Sequence, residues 1–216
     1  MDAASSLAAA REHGAGLAAR DVRLWGLDAG ALRYPVPLGR YAVASGIEYR
    51  REPLWSHRRT AGVLLKGMVF VSGAASPEET RFTFTHELGH RRLETNHGEG
   101  KDPVAEAAAD AYAGGLLVSE PVLRRIFASR GIPLDMPLLP LDLVRLRDEI
   151  FSIACCHDGR QNFKVHVKTL VIALADNGFI EGETPFESHW RLLDHLSQSW
   201  RGRTSNGGRA SDRRQG

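Results

Sequence analysis

The nineteen residues from Ser76 to Glu94 constrain this chain more than any other stretch. Ser76-Pro77-Glu78-Glu79 supplies an N-cap serine, a proline at the first helical position and a glutamate at the third, so a helix is predicted from about Pro77 to Glu94. Inside it stands His86-Glu87-Leu88-Gly89-His90. Two histidines four residues apart project from one helix face, where their imidazoles can hold one ion. Glu87 is adjacent to His86 and three before His90, a position that suits a carboxylate taking a proton from metal-bound water without occupying a coordination site. Gly89 leaves room on that face for the ion or for close approach of a second element. Two imidazoles do not complete a catalytic zinc site, which uses three protein ligands, so another part of the chain must fold back to bring the third.

Two residues compete for that role. His97 is near, but the metzincin arrangement places a glycine three residues after the second histidine and a ligand three later; Leu93 and Asn96 stand there, and His97 misses by one. Glu106 is favoured on physical grounds. It shares a face with Asp110 on a helix predicted from Asp102-Pro103 to about Val118, which is otherwise small or apolar from Val104 onward. Burying two carboxylates among alanines is costly unless they meet a cation or a donor. A metal for Glu106 and a ligand imidazole N–H for Asp110 would satisfy both, the latter being the outer hydrogen bond that sets a histidine's tautomer.

Upstream, Leu7 to Ala19 is alanine-rich and interrupted by Gly14 and Gly16, which supports only a weak amphipathic helix. Pro37 opens a short helix that Gly46 ends, and Ile47-Glu48-Tyr49 alternates like a strand. Gly62-Val63-Leu64-Leu65 and Met68-Val69-Phe70-Val71 flank Lys66-Gly67 and read as a hairpin. Downstream, Glu120 to Arg130 is a helix closed by Gly131, a connector carries Pro133, Pro137 and Pro140, and helices are predicted over 142–156 and 162–177 with Gly178 stopping the second.

The central blocks resemble the ImmA/IrrE family of metallopeptidases, a compact gluzincin-type group. The resemblance is carried by Pro35-Val36-Pro37-Leu38, by the hairpin through Val71, by Arg81-Phe82-Thr83-Phe84-Thr85 running into the histidine motif, and by Glu106 through Leu117. Asp110 stands where the family often has asparagine, and the proline expected soon after the paired leucines is displaced to Pro121. The resemblance implies an α+β zincin-like fold, a short sheet or hairpin packed on the histidine helix, with a helical C-terminal region. It also implies one Zn2+ on His86, His90 and Glu106, with Glu87 as general base. The expected activity is endopeptidase cleavage of a protein substrate, a helix-turn-helix transcriptional repressor.

The expected organisation is a core over 1–133, a helical region over 134–198 and a basic tail over 199–216. Arg201, Arg203, Arg209, Arg213 and Arg214 crowd that tail and account for the formal charge of +2; without them the chain is near neutral, so direct nucleic-acid binding is not expected. Adjacent Cys155 and Cys156 cannot easily bridge each other and suggest a reducing compartment. No signal peptide or apolar span is visible, so a cytoplasmic location and no membrane partner are expected. The alternative is a non-enzymatic, metal-dependent regulator acting through its C-terminal helices. Lys164 and Lys168 alone are a thin basis for a groove-reading helix there.

Overall fold

The computed structural model describes residues 3–28, 34–52, 62–95, 102–155 and 160–180. His57, His97, Cys156 and everything beyond Ile180, the basic tail included, lie outside those residues.

The fold is α+β, as expected, and is organised around the helix α3, Pro77–Arg92. Its start is the anticipated capping box: Ser76 Oγ accepts from the Glu79 amide at 3.1 Å, and Glu79 returns a bond to the Ser76 amide at 2.6 Å. Two donors that a helix start leaves unpaired are thereby satisfied. Beside α3 lie β1 (Glu48–Glu52), β2 (Gly62–Leu65) and β3 (Met68–Ser72), in the sheet order β1-β3-β2. β2 and β3 form the predicted hairpin, with Lys66 at φ 48° and Gly67 at φ 77°, the two positive values that a tight primed turn requires. β1 joins the other edge of β3 in parallel, Tyr49 opposite Val69. Val69 and Val71 of the central strand are fully buried. The outer strand β1 keeps Glu48, Arg50 and Arg51 exposed, charges that blunt a free edge.

The first helix departs from expectation. α1 spans Ala3–Leu24 without a break at Gly14 or Gly16. It packs along α4, Pro103–Leu117, so closely that a Cβ on Gly14 would lie 2.1 Å from the Ala108 carbonyl oxygen. Glycine there costs about 1 kcal/mol of helix propensity, but it permits backbone-to-backbone contact over a long interface. The amphipathic signal is weak because the buried stripe is made of small residues.

α2 (Leu38–Ser45) ends at Gly46 in the left-handed conformation, as read. α5 (Glu120–Ser129) is likewise followed by Gly131 at φ 74°. Two later expectations need correction. The helix predicted over 142–156 begins at Pro140 and is split into α6 (Pro140–Arg145) and α7 (Arg147–Ala154), because Leu146 takes φ −88°, ψ 9°. The helix predicted from Asn162 is α8, Val167–Asp176. Residues 162–166 are irregular instead: the Phe163 and Val165 amides donate to the Ile153 and Ala154 carbonyls, and both side chains are buried on either side of Lys164, which sits at φ 46°. Leu138 pairs in parallel with Ile180. A hydrophobic cluster draws on both sides of the proline-rich connector, from Leu88 and Phe127 to Ile150 and Leu174. No helix among the described residues is long and apolar enough to cross a membrane.

Candidate metal centre

α3 and α4 cross at Gly89. A Cβ there would meet the Ala109 carbonyl oxygen and the Tyr112 ring at 3.1 Å, so the missing side chain admits the second helix rather than an ion. Asp102 caps α4 by accepting from the Val104 amide at 2.9 Å, which places Glu106 in the first turn and Asp110 one turn on, both toward α3.

Three of the sequence-predicted residues converge. His86 Nε2 and His90 Nε2 are 3.1 Å apart, Glu106 Oε1 is 3.5 Å from His90 Nε2, and Glu106 Oε2 is 3.7 Å from His86 Nε2. All the potential ligand atoms lie within 4.8 Å of one another. Four-coordinate zinc, with bonds of about 2.0–2.1 Å, sets neighbouring ligand atoms roughly 3.3–3.4 Å apart, so these separations match what one ion demands. The donor set of two imidazoles and a carboxylate is also one that divalent zinc favours. The cluster can hold a metal ion.

The outer contacts explain why these particular nitrogens face inward. Asp110 Oδ1 lies 2.8 Å from His86 Nδ1 and accepts its proton, leaving Nε2 with a lone pair for the centre. Burial works against a charged His86. The hydrogen bond to Asp110 and the carboxylates of Asp110, Glu87 and Glu106 outweigh it and hold its pKa above the ordinary imidazole value. His90, nearly fully buried, has Thr95 Oγ1 2.9 Å from its Nδ1. Glu87 is also buried, and a Cβ on Gly62 at the start of β2 would come within 3.8 Å of its Cγ. The carboxylate that spacing excludes from coordination is therefore held between α3 and the sheet.

Tyr112, near this cluster on α4, is committed elsewhere. Its hydroxyl donates to Asp21 Oδ2 at 2.8 Å, and burial pushes its pKa up. Asp21, fully buried on α1, also accepts from Arg92 Nε at 2.8 Å and Nη2 at 2.7 Å.

Sequence reasoning missed Thr95, Asp21 and Arg92. Asp21 did leave a signal: it falls on the same helical stripe as Gly14, Ala18 and Val22, and all four are buried. A carboxylate on such a stripe demands a partner. No protein-family model matches the chain, and no curated protein matches it significantly.

Proposed function

We propose that this chain is a zinc-dependent endopeptidase in which His86, His90 and Glu106 hold the ion and Glu87 is the general base. The observation that carries the proposal is the convergence of three lone-pair-bearing atoms at zinc spacing, with a buried carboxylate next in sequence to one of them. When bound, zinc would supply Lewis acidity at a peptide carbonyl and make water a usable nucleophile at neutral pH.

The chain's own residues do the rest. Asp110 and Thr95 hold the two imidazoles in the orientation that offers Nε2. Glu106 brings the negative charge that makes the cluster selective for a cation. Glu87 accepts the proton of the attacking water and returns it to the leaving amine, one carboxyl acting as base and then as acid. The likeness to the ImmA/IrrE family supports a helix-turn-helix repressor as substrate and a cytoplasmic setting. It rests on the motif residues.

The test is incubation of zinc-loaded protein with a repressor from its own genomic neighbourhood, for wild type and Glu87→Gln. Wild type should cleave, and Glu87→Gln should lose about 100- to 10,000-fold in rate while retaining zinc. Equal cleavage by both would remove Glu87 from its role. A wild-type protein that binds zinc yet cuts no repressor would favour the metal-dependent regulator.

A further inference from the structure

We propose that Thr95 is a positioning residue for the metal ligand His90, and that the way α3 stops is what delivers it; the proposal builds on the metal-centre assignment above.

The stop is a Schellman motif built without glycine. The Thr95 amide donates to the His90 carbonyl at 2.9 Å, the Glu94 amide donates to the Arg91 carbonyl at 3.3 Å, and Glu94 sits between at φ 55°. This is the six-to-one and five-to-two pairing of that motif, with His90 at its third-last helical position and Thr95 at the second residue beyond the cap. In such stops these two positions are brought side by side, and a hydrophobic contact commonly joins them. Here a hydroxyl meets an imidazole instead.

The second contact of the hydroxyl is what assigns the donor under this proposal. Thr95 has one hydroxyl proton, and its Oγ1 lies 3.3 Å from the His90 carbonyl oxygen, which can only accept. With the hydroxyl proton directed there, the 2.9 Å contact to His90 Nδ1 would be one in which Nδ1–H donates to the oxygen lone pair. That places the ring proton on Nδ1 and leaves Nε2 bare, 3.5 Å from Glu106 Oε1. His86 reaches the same tautomer through a carboxylate and His90 through a hydroxyl. Glu94, left-handed in a conformation that ordinarily selects glycine, turns the chain at the residue that puts Thr95 in place.

The experiment compares wild type, Thr95→Ser and Thr95→Val, the last keeping the shape of threonine without its hydroxyl. In metal-free protein, 15N NMR of the imidazoles should show His90 protonated on Nδ1 in wild type and Thr95→Ser, and a mixture of tautomers in Thr95→Val. Zinc affinity, read by competition with a chelator, should fall about 10- to 100-fold in Thr95→Val and be largely restored in Thr95→Ser. An Nε2-protonated His90 in wild type overturns the proposal. So does a Thr95→Val protein that melts earlier but binds zinc as wild type does, since that is the behaviour of a helix stop alone. Wild type that binds no zinc would sink the metal centre itself, while the tautomer measurement would still decide what Thr95 does.

Discussion

Two polar clusters draw on α3 and α4, the first with α1 as well, and are arranged in opposite ways. Where α1 meets α3 and α4, one carboxylate faces one guanidinium and one phenol. Asp21 Oδ1 accepts from Arg92, Oδ2 accepts from both Arg92 and Tyr112, and the charges cancel. Where α3 and α4 face each other through His86, His90 and Glu106, two imidazole nitrogens and a carboxylate converge. Two nitrogens turned inward by partners on their far sides stand 3.1 Å apart with a carboxylate beside them. The first arrangement is closed and holds helices together. The second could be completed by a metal ion, and that would distinguish it from a purely structural polar cluster more firmly than burial does.

The largest effect tests the closed cluster. Asp21→Ala strands the Tyr112 hydroxyl and Arg92, and should destabilise the fold by roughly 2–4 kcal/mol in urea or thermal unfolding; Arg92, about a third exposed, can turn to water and keeps the cost below that of a fully buried pair. A loss under about 1 kcal/mol would show that this cluster contributes no more than a surface pair. Glu106→Ala tests the open cluster and should behave inversely. Metal-free stability should change by less than about 1 kcal/mol, whereas the stabilisation zinc confers on wild type, about 2.7 kcal/mol at a hundredfold excess over Kd, should largely vanish. Persistence of that stabilisation would move the third ligand elsewhere, with His97 next in line.

The smallest effect is a pH dependence. In metal-free protein the folded-state pKa of His86 is raised, so its charge contributes stability that is fully present below the unfolded imidazole value and is lost as pH rises through the folded pKa. Zinc competes for the same nitrogen, so its affinity should weaken as pH falls through that range. Asp110→Asn should shrink the stability change and lower zinc affinity about 10- to 100-fold. An unaltered pH profile in that variant would mean that the half-exposed Asp110 is screened from His86 by solvent.

Much of the framework was legible along the chain, for local reasons. The capping box of α3 and the Lys66-Gly67 turn involve residues within a few positions of each other, and their chemistry needs no distant partner. The convergence of His86, His90 and Glu106 was expected from the cost of burying Glu106 and Asp110 on an alanine-rich helix, and the structure meets that premise only in part, since Glu106 is partly buried and Asp110 half-exposed. The rest depends on contacts that the local helical pattern does not set. α1 runs through Gly14 because Ala108, on another helix, comes close enough to exclude a Cβ; Phe163 and Val165 leave the helical path because Ile153 and Ala154 offer backbone carbonyls.

Histidine spacing and helix capping by themselves determined which face of α3 carries the imidazoles and that Glu87 stands apart from them, since both follow from 3.6 residues per turn. Only the tertiary structure decided how close Glu106 comes, which carboxylate closes onto Arg92, and that a left-handed Glu94 presents Thr95 to His90. Those outcomes depend on helices meeting at small residues and on a turn angle that no side-chain type announces, and both are settled by packing.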